Sequence, residues 1–469
     1  MKITLSKKVP NVLSNIIKVT FSRGLSLLSS IAIGFIIPKA LGITGFGFYK
    51  IFTLYSSYVI LLHFGFIDGI LLKFAGANES ELDLKEFRTY TSFFVKFQLL
   101  FTFILIIGSF LFLHEEYCFI GCMLGLNMFL LNMTSYFQSF SQAIERFNEL
   151  SIRNILSAIF KLTGALSALA LYYFTDNIVN YHVYIYIVNL IAFVLLLWYL
   201  HTYKIFIFGP KYPLITMKKE LLYIFKIGFS TTTATQIGHL VLMMDRQFVS
   251  VLYSTEVYSL YAFAYSIIAI FTALISESAK VLFPMLKKMD KESAMKLFSK
   301  IMYIIILIAG FSLLGYYPLS LIVRWFLPEY INSLEYLKVV LPALLPSSCI
   351  SIVMFTFYKV LGKNQIYLLT GILSFIIGFI SNSIAQFVFS TPISISWASV
   401  ITMIIWYIMT VLYLSKVSNE KWIKNFLMMI FIMVGYYLIY FYIELELLAS
   451  LIYLIYYFVI MIVYYFINK

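Results

Sequence analysis

Apolar runs of about 20 residues recur along the whole chain, each long enough to cross a bilayer as a helix. Fourteen such spans are expected, near residues 15–38, 47–72, 90–113, 118–140, 155–174, 179–203, 221–252, 257–283, 301–327, 336–361, 366–389, 396–414, 425–443 and 447–467. These helices need not be amphipathic in the soluble sense, because lipid faces most of them. The pattern predicts an all-α, polytopic membrane protein. The polar connections between spans alternate in character. One set holds Lys73, Lys85 and Arg88; Arg146 and Arg153; Lys204, Lys211, Lys218 and Lys219; Lys287, Lys288, Lys291, Lys296 and Lys300; Lys363; and Lys416, Lys421 and Lys424. The other holds Glu115, Glu116, Asp176, Glu256, Glu329, Glu335, Glu444 and Glu446, with almost no base beyond Lys39. The positive-inside rule places the basic set and both termini in the cytoplasm, in keeping with an even number of spans.

The pattern also repeats. From Phe21 to Gly76, a span containing Arg23 leads through a corner, Leu41-Gly42-Ile43-Thr44-Gly45-Phe46-Gly47-Phe48-Tyr49, into a second span ending near Asp68. Glycine suits such a corner because it accepts positive φ and lets two helices approach closely. About 212 residues later, Thr255-Glu256-Val257-Tyr258-Ser259-Leu260-Tyr261 occupies the corresponding corner, between a span ending in Asp245-Arg246 and one carrying Glu277 and Lys280. Two related halves are expected, each opening with a hairpin that carries charge into the membrane.

Composition narrows the class further. With 62% hydrophobic and 12% charged residues, no soluble globular class fits. The net charge of +13 follows the alternating connections, so it reads as topology and contact with anionic lipid headgroups rather than nucleic-acid binding. The basic start (Lys2, Lys7, Lys8) lacks a small-residue cleavage site, and the first span is expected to be retained. Cys118, Cys122 and Cys349 all lie in apolar spans; core packing is expected, with no disulfide framework and no metal. The outward connections are too short for an external catalytic domain. No P-loop, GxGxxG after a strand, HExxH or GxSxG is present, so neither an ATP-driven pump nor a cofactor enzyme is expected.

Charges inside the spans carry the candidate chemistry. Each costs at least about 2.5–3.5 kcal/mol on insertion scales and so tends to face an aqueous cavity or a partner. Arg23 shares a helical face with Ser26, Ser30 and Gly34, and Lys50 with Thr53, Ser57 and Asp68. Thr232, Gln236, His239, Met243 and Arg246 form a third stripe beside Asp245, and Ser266, Ala273, Glu277 and Lys280 a fourth. Lys161 adds a cation in the fifth span. Blander readings stand beside these. Lys18, Lys226 and Lys359 lie near inner helix ends and can snorkel. Asp245-Arg246 suits a structural ion pair or gate as well as a binding role, and Glu277 and Lys280 can neutralise each other. His63 and His239 fit plain packing as well as proton transfer. The last two spans are rich in Tyr and Phe with no Lys or Arg in their interiors, which predicts a lipid-facing pair beside the main bundle.

Leu41-Gly42-x-x-Gly45-Phe46-Gly47-Phe48-Tyr49, followed by Phe64-Gly65-Phe66, resembles the opening hairpin of bacterial polysaccharide flippases of the multidrug/oligosaccharidyl-lipid/polysaccharide exporter superfamily. Gly228, Asp245-Arg246, Tyr261-Ala262 and Phe283-Pro284 resemble that family's seventh and eighth helices. Two positions depart from it: His63 stands where an acidic residue often precedes Phe-Gly, and Phe229 where proline commonly follows the glycine. The resemblance implies two six-helix lobes, 1–210 and 211–415, around a central cavity that opens alternately to each side, plus an extra helix pair at 416–469. It implies a flippase in the bacterial inner membrane moving a polyprenyl-pyrophosphate-linked oligosaccharide, such as an O-antigen or capsule repeat unit, to the outer face. A polysaccharide polymerase and chain-length regulator are then candidate partners, with membrane lipids. The residues agree with an anionic substrate: a pyrophosphate needs fixed cations, and Arg23, Lys50, Lys161, Arg246 and Lys280 are the candidates. Asp68, Asp245 and Glu277 are the carboxylates able to carry a coupling ion, and Arg23 is placed to alternate between Asp68 and the substrate. The alternatives are an organic-cation antiporter of the same fold and a membrane-embedded polymerase or glycosyltransferase.

Overall fold

The computed structural model describes residues 8–279, 282–287, 289–418 and 422–467; within these, the side chains before Gly24 and those at 234–235, 277–279, 283–284, 418, 465 and 467 are not described. Among the described residues the regular structure is entirely helical. Twelve segments among the described residues are long and apolar enough to cross a membrane. The difference from the fourteen expected has two sources. The first segment, Gly24–His63, runs through the Gly42 corner and so joins two expected spans. The seventh expected span, with Lys226, His239, Asp245 and Arg246, is absent from the twelve. By internal packing the chain divides into Met1–Thr233 and Ala234–Lys469.

In the first unit, α1 (Lys8–Val59) bends at Gly42, where φ is 65°. Pro38, four residues earlier, already lacks the N–H that would bond back along the helix. The Ala40 carbonyl at the bend accepts the Val179 N–H at 2.9 Å, so the bend leaves no stranded acceptor there. A 3-10 turn, Ile60–His63, extends α1, and then Phe64 and Gly65 both take left-handed backbone (φ 47° and 85°). The helix restarts as α2 (Phe66–Phe74). There follow α3 (Leu84–Phe112), whose N-terminus Asp83 caps, α4 (Glu115–Ala143), α5 (Phe147–Thr175), α6 (Tyr181–Thr202) and α7 (Lys218–Leu252). Helix α1 packs along α5, while α4 packs against α2, α3 and α6. Their shared core is aromatic: Phe66, Phe87, Phe94, Tyr136, Phe137, Phe140 and Tyr203 are all fully buried. Lipid is as apolar as these rings, so their contribution here is close packing rather than escape from water.

The second unit holds the rest of α7, then α8 (Thr255–Ala279), α9 (Leu282–Lys287), α10 (Lys291–Lys296), α11 (Phe298–Ser312), α12 (Tyr316–Phe326) and α13 (Ser333–Val340). It continues through α14 (Leu344–Ser348), a π-helical turn at Cys349–Met354, α15 (Phe355–Leu361), α16 (Asn364–Phe389), α17 (Pro392–Ser418), α18 (Ile423–Tyr442) and α19 (Glu446–Ile467). The last pair presents an apolar outer face, with Leu447, Leu451, Ile455, Val459 and Ile462 of α19 exposed, but its tyrosine stripe turns inward rather than to lipid. Tyr436, Tyr440, Tyr453 and Tyr457 are buried, and Phe441, Tyr442 and Phe458 take the outer side. For Tyr453 and Tyr457 the reason is hydrogen bonding, whereas the Tyr436 hydroxyl is buried with no hydrogen-bond partner among the described residues. Tyr453 donates to the Gly310 carbonyl (2.9 Å), Tyr457 to that of Leu307 (2.7 Å) and Tyr437 to that of Val339 (2.8 Å). An O–H in hydrocarbon needs such a partner, so the tyrosine stripe turns inward and pins the pair to α11 and α13. Arg324 of α12 adds an ion pair to Glu446 of α19 at 2.8 Å.

Candidate functional site

A polar cluster lies in each unit. The first is built on the break between α1 and α2. Gly65-x-x-x-Gly69 on one side and Gly228 on the other bring the α2 and α7 backbones into contact. A Cβ at Gly228 would lie 1.9 Å from the Gly65 carbonyl oxygen and 2.5 Å from the Gly69 nitrogen; one at Gly69 would lie 2.2 Å from the Ile224 carbonyl oxygen. Only glycine permits that approach. One turn beyond Gly228, the Thr232 hydroxyl donates to the Asp68 carboxylate in the first turn of α2. A carboxylate there also suits the positive end of the new helix.

The break exposes backbone groups, and polar side chains answer them. The His63 ring, buried, accepts the Gly65 N–H on Nδ1 at 3.0 Å, which leaves Nε2 to carry the proton. Gln98 of α3 donates to the Leu62 carbonyl (3.3 Å), and Asn132 of α4 donates to Gln98 (2.9 Å). The Asn132 Oδ1 is itself buried without a hydrogen-bond partner among the described residues. A second buried relay joins Ser56 to Asn127 (3.2 Å) and Asn127 to Asn189 (2.8 Å). None of Gln98, Asn127, Asn132 or Asn189 was singled out by the sequence pattern; a lone amide inside an apolar span is the signal that could have marked them.

The second cluster surrounds Asp245, only 2% exposed. Its carboxylate accepts the Tyr261 hydroxyl at 2.9 Å, the Tyr265 hydroxyl, and the Arg246 backbone N–H at 2.8 Å. The Arg246 Nε lies 3.8 Å away, and its guanidinium sits 4.7 Å from the Tyr265 ring centre. One Arg246 Nη donates to the Leu242 carbonyl at 2.5 Å, while Nε is buried with no hydrogen-bond partner among the described residues. A carboxylate with three donors is well held, whereas its arginine keeps hydrogen-bonding capacity in reserve.

The other expected residues are dispersed. Lys50 is half-buried with its ammonium 5.1 Å from the Phe46 ring centre, one turn back on α1. Lys161 is exposed on α5 and makes no hydrogen bond or ion pair among the described residues. Arg23 and Glu277 lie on described helix, but their side chains fall outside the described residues, as does Lys280 altogether. The described hydrogen-bond partner of Asp68 is thus Thr232. Arg153, expected in a basic connection, needs correcting. Helix α5 starts at Phe147, earlier than the apolar run suggests, and Arg153 is 3% exposed inside it. Its guanidinium lies 3.8 Å from the Tyr199 ring centre, donates to Thr202 at 2.6 Å and stands 3.6 Å from Glu149, one turn earlier.

Residues 9–290 match the profile of a family described as "Polysaccharide biosynthesis protein". The chain belongs to this family. No curated protein matches its sequence. Its fold is shared with solved transporters. The lipid II flippase MurJ, in an inward closed conformation, superposes with a TM-score of 0.66 over 97% of this chain and 100% of that one, at 16% identity. An inward-facing multidrug resistance MATE family transporter of the MOP superfamily gives 0.63 over 86% and 96%, at 12% identity. A MOP superfamily transporter from Pyrococcus furiosus, described as having a binding pocket of reversed polarity, gives 0.52 over 87% and 96%, also at 12% identity. The family member described here therefore shares the all-α polytopic fold of these flippases and transporters.

Proposed function

We propose that this polysaccharide biosynthesis protein is an alternating-access flippase. It moves a polyprenyl-pyrophosphate-linked oligosaccharide, an O-antigen or capsule repeat unit, from the cytoplasmic to the outer face of a bacterial inner membrane, with both termini cytoplasmic. The observation that carries this reading is the family match combined with a full-length likeness to a lipid II flippase. In this reading the lobes are 1–210 and 211–415, with 416–469 as the extra pair. Arg23, Lys50, Lys161, Arg246 and Lys280 offer cations to the pyrophosphate, Arg246 through the nitrogen that lacks a bond. Asp68 and Asp245, with Glu277, are the coupling carboxylates.

Asp68 accepts from Thr232 and Asp245 accepts from two tyrosines, so an ion or substrate that competes for either carboxylate would loosen the helix contact the bond supports. An inside-negative potential also favours outward movement of a net negative headgroup, at about 2.3 kcal/mol per charge per 100 mV. A polymerase and a chain-length regulator would act on the delivered unit. Deletion tests the reading in cells: surface polysaccharide should vanish while its lipid-linked unit accumulates on the cytoplasmic face. Unchanged surface polysaccharide with increased sensitivity to cationic drugs would instead establish the antiporter reading.

A further inference from the structure

We infer that the segment joining α6 to α7, together with the first two residues of α7 (residues 203–219), is a docking surface for a membrane that presents anionic lipid headgroups. It contains Lys204, Lys211, Lys218 and Lys219 and no acidic residue. Between the lysines, Ile205, Phe208 and Ile215 are 56%, 70% and 89% exposed. Exposed apolar tips interleaved with lysines match a lipid interface, where the tips enter the headgroup and acyl boundary and the ammonium groups meet phosphates.

The tips are held outward by the fold. Phe206 is buried in the aromatic core, with its ring centre 5.4 Å from that of Phe87 and 5.1 Å from that of Phe140. Ile207 and Met217 pack against the same core, so the apolar residues with room to turn inward have done so. The backbone is strapped to α3. Arg88 donates to the Ile205 carbonyl (2.8 Å), Thr89 accepts the Tyr212 N–H (2.9 Å), and the Tyr212 hydroxyl donates to Asp83 (2.9 Å). Gly209, at φ 127°, allows the Arg88 guanidinium to lie against the backbone, where a Cβ would come within 2.5 Å of it. A strap fixed at these points keeps Ile205 and Phe208 from folding away, and with the exposed Ile215 they form the apolar face a partner would cover. The four lysines select an anionic one. This inference needs the chain to span a membrane, but not the proposed substrate, so the two can fail separately.

The test uses the full chain with Cys118, Cys122 and Cys349 replaced by serine, carrying Ile215→Cys labelled with a nitrobenzoxadiazole fluorophore. It is reconstituted into phosphatidylcholine vesicles with or without phosphatidylglycerol. Nitroxide-bearing lipid should quench the fluorophore, and aqueous iodide should not, when phosphatidylglycerol is present. Raising salt should reverse this, and so should replacing Lys204, Lys211, Lys218 and Lys219 by Gln, with a loss of shielding on the order of fivefold per lysine at low salt. A probe open to iodide and untouched by nitroxide lipid in these vesicles would overturn the inference. So would shielding in native membranes alone, which would mean a protein partner, or quenching indifferent to both salt and the lysines.

Discussion

Replacing Gly228 by alanine puts a methyl group into the contact between α2 and α7. Its Cβ would stand 1.9 Å from the Gly65 carbonyl oxygen, so the backbones must part by about 1.5 Å to reach ordinary van der Waals distance. The obstacle is backbone on both sides, with no flexible side chain to swing away. Overpacking of this kind costs roughly 1–3 kcal/mol. A displacement of that size also breaks the Asp68–Thr232 hydrogen bond, worth about 0.6 kcal/mol on average between membrane helices. For a unit of this size, roughly 2–4 °C of melting temperature accompanies each kcal/mol. Thermal unfolding of the purified protein in detergent should therefore show Gly228→Ala melting at least about 3 °C lower. Thr232→Val, which removes only the hydrogen bond, should shift it by about 1–2 °C. The reasoning is refuted if Gly228→Ala melts within a degree of the parent, since the helices would then not be in backbone contact.

Three further outcomes follow from the same geometry. Tyr261→Phe and Tyr265→Phe each take a donor from a buried carboxylate and should cost about 1–3 kcal/mol, while the pair together costs less than the sum because they share Asp245; chemical denaturation of the three variants measures this. Thr202→Val should destabilise by about 1.5–3 kcal/mol, because the Arg153 guanidinium it serves is buried, whereas the same change at exposed Thr175 should be close to neutral in the same assay. Acid should release the strap from α3. Partial burial raises the Asp83 carboxyl, but the Tyr212 hydroxyl, the Glu86 and Lys85 backbone N–H groups and the Lys85 charge outweigh it and hold Asp83 below its ordinary value. The stabilisation is thus fully present above the unfolded value of about 3.9 and is lost as pH falls through the lower folded value. Hydrogen exchange at the Tyr212 amide, referred to its intrinsic rate, should lose protection below about pH 4, and Asp83→Asn should remove that dependence.

The span pattern, the Gly42 bend and the adjacency of Asp245 and Arg246 are visible in the sequence because each depends on local residues. Length and apolarity specify a membrane helix, and a positive φ selects glycine. What the sequence withholds is direction. In lipid an apolar residue is content on either face, so the pattern cannot say which side of a helix meets protein. The inward turn of Tyr453 and Tyr457 depends on carbonyls about 150 residues away in the chain. The break at Phe64-Gly65 is likewise hidden, because its freed carbonyl at Leu62 is satisfied by Gln98 from another helix. Arg153 was misplaced because its burial rests on aromatic rings of α6 rather than on neighbours within an apolar run.

The central claim is that this chain moves a lipid-linked glycan across a bilayer. The direct measurement places the purified protein in proteoliposomes that contain a polyprenyl-pyrophosphate-linked oligosaccharide in both leaflets. A lectin that cannot cross the membrane then reports the glycan exposed outside. With the protein, the accessible share should rise from the outer-leaflet pool to the whole pool, and protein-free vesicles should stay at the outer-leaflet value. An accessible share unchanged by the protein, alongside protein-dependent efflux of a cationic dye from the same vesicles, would contradict the account.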